Sequence, residues 1–198
     1  MGKNIIIIKE NDIKNQRGKF MEEKIIHWGI LATGVIAKKF ALTLSEMEKM
    51  GETVKLTAVA SRTEEAAKKF AEEYGAVRYY GSYEEMVKDS EIDVVYIATP
   101  NNMHYENVLL CLNGGKHVLC EKPFTLNKKD AEILFQTARE KNLFIMEAFW
   151  IRHLPVLKEL QKIIRQKKIG SIKHVRLEYG FISQGSRRER KFNPSRCV

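Results

Sequence analysis

The feature that most limits how this chain can fold is a regular alternation between residues 25 and 148. Apolar runs of strand length lie at 25–31, 54–60, 94–98, 116–120 and 144–148, with a weaker one at 77–80. Helical patterns separate them, at 35–49, 64–74, 83–88, 103–112 and 128–140. The runs are apolar at successive positions, so both faces of each strand need cover. Helices packed on both faces of a parallel sheet supply it, and right-handed crossovers then make an α/β, doubly wound Rossmann sheet. Asn127 suits the N-cap of the last helix, and Gly51, Gly75, Gly114 and Gly115 fall where helices should stop.

The alternation ends at Trp150. Residues 154–168 read as one more amphipathic helix, and 172–181 as a strand whose Val175, Leu177, Tyr179 and Phe181 alternate with polar residues. A lone half-buried strand is not stable by itself. The expected organisation is therefore a Rossmann domain at 23–149 and the beginning of an incomplete α+β domain at 150–198. Residues 1–22 are an extension: either a translated leader before a start at Met21, or a short extra strand built on the Ile5–Ile8 run.

Charge and cysteine content exclude several function classes. The net charge is +9, but residues 182–198 carry five Lys/Arg against one Glu, and residues 1–24 carry six against four acidic residues. Nucleic-acid binders gather basic residues on one folded face, so no nucleic-acid partner is expected. No apolar run approaches the ~20 residues needed to span a bilayer, so no membrane partner is expected either. Cys111, Cys120 and Cys197 form no C-x-x-C pair and no metal-like spacing, which fits free thiols in a reducing cytoplasm.

Candidate site residues gather at predicted strand ends. The first strand runs into Ala32-Thr33-Gly34-Val35-Ile36-Ala37, which aligns with G-x-G-x-x-G/A. Gly34 lets the backbone approach a pyrophosphate at the helix N-terminus, and Ala37 lets that helix pack closely. Ala32 replaces the first glycine, which is tolerated if that residue avoids positive φ. The second strand ends in Ser61 and Arg62 where an NAD site offers Asp or Glu. A hydroxyl and a guanidinium suit a 2′-phosphate, hence NADP, with NAD as the alternative. The competing reading makes Ser61 a helix cap and Arg62 a solvated charge.

The fourth strand ends in Thr99, Pro100 and Asn101, placed to border the nicotinamide ribose. His104 is a candidate for the same cleft, against a structural role as a hydrogen-bonding histidine. The fifth strand ends in Glu121-Lys122-Pro123. The proline stops the ladder and fixes the exit direction, with a cis bond as one means. A partly desolvated Lys122 aimed into the cleft could then hydrogen-bond a substrate hydroxyl or move its proton.

The segments W-G-I-L-A-T-G-V-I-A, A-T-P-N-N-M-H, G-K-H-V-L-C-E-K-P-F-T-L and M-E-A-F-W-I-R-H-L-P together resemble the Gfo/Idh/MocA oxidoreductase family, in its dihydrodiol dehydrogenase-like branch. The resemblance covers residues 24–181. It implies NAD(P)-dependent hydride transfer at a hydroxyl or carbonyl carbon of a sugar, polyol or cyclic diol. It gives Lys122 a catalytic role and puts Trp150 and Arg152 along the cofactor and substrate cleft. It also implies a homo-oligomer for the whole protein, and a C-terminal sheet of which this chain holds only the start. The fragment alone is then expected to be inactive. The alternatives from other classes are a non-catalytic NADP-binding module and an interaction scaffold.

Overall fold

In the computed structural model, which describes residues 24–178, the expected alternation is present. β1 (Ile26–Leu31), α1 (Val35–Lys49), β2 (Val54–Ala60), α2 (Glu64–Tyr74), β3 (Arg78–Tyr80) and α3 (Tyr83–Val87) form the first half. β4 (Val94–Ile97), α4 (His104–Asn113), β5 (His117–Cys120), α5 (Lys128–Glu140) and β6 (Ile145–Glu147) form the second. The strands are ordered β3-β2-β1-β4-β5-β6, and every neighbouring pair is parallel. This is the doubly wound sheet that the two-faced apolar strands require.

The two faces are covered unequally. On one, α3, α4 and α5 bury Ala60, Val95, Ile97, Val118 and Cys120 against Val108, Leu112 and Leu134. On the other, α1 and α2 bury Ile30, Leu56 and Val59 under Ala37, Ala41, Leu44 and Phe70. Each fully buried aliphatic side chain contributes about 1.5–3 kcal/mol. Ala37 is completely buried, as close packing of α1 on the strands demands. Over β4–β6 on the α1 side, the strand residues Tyr96, Leu119 and Met146 instead line an open pocket.

Local signals account for the helix ends. Asn127 caps α5 by accepting the Asp130 N–H at 2.9 Å. Gly75 closes α2 at φ 78°. Thr63 caps α2, so the competing capping role considered for Ser61 is excluded.

Two expectations fail after β6. Residues 172–178 carry no strand, and Val175 and Leu177 are 63% and 90% exposed, because no described segment offers them a ladder partner. The rest of that expected strand, the Ile5–Ile8 run and the basic tail lie outside the described residues. The helix expected at 154–168 is α6, Pro155–Arg165. It stops early, with Lys167 at φ 54° and Gly170 at φ 70° beyond it.

The amino edge of the sheet is held by a polar cluster around the turn before β4. The carboxylate of Asp89 accepts from Arg78 Nη1 at 2.6 Å, the Tyr80 hydroxyl at 2.9 Å and the Glu91 N–H at 3.0 Å. The ammonium of Lys116 donates to the carbonyls of Asp89 and Ile92 at 2.6 and 2.9 Å. Burial works to raise the pKa of Asp89, but the three donors outweigh it and hold the acid below its ordinary range. The unfolded chain therefore binds more protons on acidification, and this contribution is lost as pH falls through the folded pKa. Urea unfolding at pH 7, 5 and 3 tests this. Wild-type stability should fall below about pH 4, and Asp89→Asn should be less stable at pH 7 by about 1–2 kcal/mol with a shallower acid decline. An equal decline in both proteins would remove Asp89 from the explanation.

Candidate active site

The parallel register brings every candidate turn to one edge. Leu31 pairs with Ile97, and Ile97 with Cys120, so β1, β4 and β5 end level with one another. The Ala32–Gly34 turn and the Glu121–Pro123 turn therefore leave the same carboxyl edge. They are two strand spacings apart, about 10 Å.

At the first turn, Ala32 has φ 82°. The condition set for an alanine here, that it avoid positive φ, is not met. Its N–H donates to the Ala60 carbonyl at 2.9 Å, which carries the ladder one residue past β1 before the chain must reverse into α1. The left-handed backbone makes that reversal, at about 1–2 kcal/mol for a residue with a Cβ.

Gly34 is the N-cap of α1 at φ −74° and ψ 179°, with no side chain capping the helix and no acidic residue in its first turn. A Cβ built on Gly34 meets nothing within 4 Å. The free N–H groups, the helix dipole and the open space over Gly34 fit an anionic group such as a pyrophosphate. Thr33 is half-buried, whereas Val35 and Ile36 are exposed around this opening.

The other candidates divide by strand. Ser61 is buried and Arg62 exposed at the end of β2, away from the pocket over β4–β6. Thr99 is buried, and its hydroxyl accepts the Asn107 amide at 3.0 Å, while Pro100 and Asn101 are exposed. His104 has no exposed surface, and its ring nitrogens meet the carbonyls of Pro123 and Thr99 at 2.7 and 3.0 Å. Those contacts leave no ring nitrogen to present to the cleft, which corrects the placement of His104 along the cofactor. Trp150 and Arg152 are exposed in the 3₁₀ turn Trp150–His153.

The β5 turn contains the cis peptide Lys122–Pro123. Glu121 accepts the Tyr96 hydroxyl at 2.5 Å and the Lys122 N–H at 3.2 Å. Burial, then the Glu121 carboxylate, raises the Tyr96 phenol far above its ordinary pKa and keeps it a donor. Lys122 is exposed. Among the described residues, none supplies the partial desolvation expected of it.

A pocket of about 340 Å³ opens beside Glu121. Its wall includes Ile36, Phe40, Tyr96, Glu121 and Trp150, but neither Lys122 nor Arg152. Phe40 stacks on Tyr96 with centroids 3.9 Å apart, and Trp28 meets Phe40 edge-on at 5.2 Å. Sequence reasoning missed Tyr96, Phe40 and Glu147, whose carboxylate accepts the Phe124 N–H at 3.0 Å just past Lys122. Tyr96 lies inside the 94–98 apolar run and Phe40 inside the 35–49 helical pattern, where nothing sets an aromatic apart from a core residue. The one signal for Glu147 is a carboxylate ending the β6 run, as Glu121 follows the β5 run.

A sequence profile described as an oxidoreductase family with an NAD-binding Rossmann fold matches residues 26–149. The chain belongs to this family, GFO_IDH_MocA. Within it, the chain is 42% identical over 153 residues to a trans-1,2-dihydrobenzene-1,2-diol dehydrogenase of Xenopus tropicalis, covering 77% of this chain and 46% of that protein. The mouse protein of that name is 40% identical over 156 residues, covering 79% and 46%. Among solved structures, the 3-ketoreductase KijD10 of Actinomadura kijaniata with NADP superposes with a TM-score of 0.67 at 34% identity, over 75% of this chain and 46% of that one. A scyllo-inositol dehydrogenase of Lactobacillus casei with NAD(H) and scyllo-inositol gives 0.67 at 28% identity, over 74% and 43%. The chain thus spans about half the length of the curated relatives it matches.

The first two glycine positions of the pattern, Ala32 and Gly34, predict opposite outcomes. Ala32→Gly relieves the positive φ and should raise stability by up to about 1 kcal/mol. Gly34→Val keeps an allowed φ, and its Cβ meets no protein atom within 4 Å, so it should cost less than about 1 kcal/mol while weakening NADPH binding at least ~10-fold. Thermal melts and a nucleotide titration read both. Unchanged binding by Gly34→Val would remove this turn from the site.

Proposed function

We propose that this chain is the nucleotide-binding half of an NADP-dependent oxidoreductase acting on a hydroxyl or carbonyl carbon of a diol, polyol or sugar. The observation that carries the reading is the level ending of β1, β4 and β5, which puts an uncapped helix N-terminus and an exposed lysine on one edge. The relatives' names support the substrate class: a diol, a ketone and an inositol are all read at carbon–oxygen centres.

In this reading Thr33, Gly34, Val35 and Ile36 hold the pyrophosphate through backbone N–H groups, and Ala32, whose own N–H is taken by the Ala60 carbonyl, shapes the turn beneath it. Arg62, with Ser61, receives the 2′-phosphate. Thr99, Pro100 and Asn101 border the nicotinamide ribose, with Glu121, Trp150 and Arg152 along the cleft. The bound nicotinamide supplies the hydride acceptor or donor. Lys122 holds the substrate oxygen and moves its proton, and its Nζ is desolvated by the bound molecules rather than by the chain. Residues 150–198 begin a second domain that contributes further substrate contacts, and α6 has no buried residue within the described chain. The whole protein is a cytoplasmic homo-oligomer in this reading. Support for the compartment comes from the buried, unpaired Cys111 and Cys120; burial pushes the Cys111 thiol up to about 12.

Titration with NADPH and NADH, read by the fluorescence of Trp150, tests the cofactor assignment. NADPH should bind more tightly, and Arg62→Glu should abolish the preference, raising the NADPH Kd at least ~10-fold with little effect on NADH. Equal affinities in the wild-type chain would refute the NADP assignment. In a turnover-competent protein carrying the second domain, Lys122→Ala should lower kcat at least ~100-fold with the cofactor Kd nearly unchanged.

A further inference from the structure

The two turns that border the proposed nicotinamide site leave the sheet separately. The last backbone ladder bond between them is the Glu121 N–H to the Ile97 carbonyl at 3.0 Å. Past that bond and the Ala98 N–H to the Leu31 carbonyl at 3.1 Å, 99–103 and 122–127 make no backbone bond to a strand, yet Lys122 must be placed closely against the substrate oxygen for the proposed chemistry.

The backbone around Lys122 is instead held by side chains, one from its own turn and two from other elements. The Lys122 N–H is met by Glu121 Oε2, and the Phe124 N–H donates to Glu147 Oε1 of β6 at 3.0 Å. The Pro123 carbonyl faces His104 Nδ1 at 2.7 Å, and the other ring nitrogen, Nε2, faces the Thr99 carbonyl at 3.0 Å. Thr99 is fixed in turn through its hydroxyl by Asn107. A fully buried polar ring is costly unless its nitrogens are paired. Here both are spent on main-chain carbonyls of two different turns, one on each side of the proposed nicotinamide site.

We propose that His104 is a positioning residue of the site: it ties the β4 turn to the β5 turn and so sets Lys122 relative to the nicotinamide-ribose contacts. This deepens the oxidoreductase reading and rests on it. A neutral ring donates to one carbonyl, and a ring with both protons donates to both. The joining bond is Nδ1–H to the Pro123 carbonyl, because His104 itself opens the helix that follows the β4 turn, and removing Nδ1 unties the turns. The adenine half of the site, at β1 and β2, is untouched by the tie.

That division gives the test. NADPH and adenosine 2′,5′-bisphosphate, which lacks the nicotinamide half, are titrated into the wild-type chain, His104→Phe and His104→Gln. Amide hydrogen exchange of 121–126 is followed in each. His104→Phe should raise the NADPH Kd at least about fivefold, the worth of one hydrogen bond, and leave the bisphosphate Kd unchanged. Exchange at 121–126 should accelerate while β1 and β2 keep wild-type protection. His104→Gln, which retains a donor, should recover part of both effects, and it carries the test if the phenylalanine variant does not fold. Equal weakening of both nucleotides, or wild-type exchange at 121–126, overturns the proposal. A wild-type chain that binds neither nucleotide refutes the oxidoreductase reading instead, and the exchange data still judge the tie.

Discussion

The parallel ladder that levels the ends of β1, β4 and β5 is the constraint on which the rest depends. Parallel strands joined by right-handed crossovers send every strand-to-helix turn out of the same edge. The chain thereby collects, without long loops, the free N–H groups of α1, the buried Thr99 and the exposed Lys122. The opposite edge is sealed by ion pairs and buried hydrogen bonds around Asp89, Lys116 and Arg78. One edge is built for stability and the other is left open.

Much of this was legible because the signals are local. Apolar runs gave the strands, Asn127 and Gly75 marked helix ends, and α1, α2 and α5 have the bounds their periodicity implies. The placement of Lys122 followed from strand order alone. Properties set by partners distant in sequence were not legible. Ala32 looked incompatible with positive φ, yet the need to turn from β1 into α1 overrides the cost of its Cβ. For His104 the sequence left a cleft role and a structural hydrogen-bonding role open, and gave no sign of which partners, the carbonyls five and nineteen residues away, its nitrogens would meet.

The same distinction explains the residues after β6. The alternating pattern at 172–178 is a strand pattern, but a strand exists only with a neighbour to receive its hydrogen bonds. The apolar pocket over β4–β6 follows a similar logic: α1 covers only its own half of that face, leaving Tyr96, Leu119 and Met146 as the pocket wall. The phenol of Tyr96 is held there by Glu121, so the pocket wall and the lysine turn share a hydrogen bond.

The central claim is that the Gly34 turn and Lys122 serve one bound dinucleotide. A single titration of the ¹⁵N-labelled chain with NADPH, followed by amide chemical shifts, tests it directly. Backbone signals of Gly34, Val35 and Lys122 should move together along one binding curve. Movement at α1 with a silent Lys122 would show that the two turns do not share a ligand and would contradict the account.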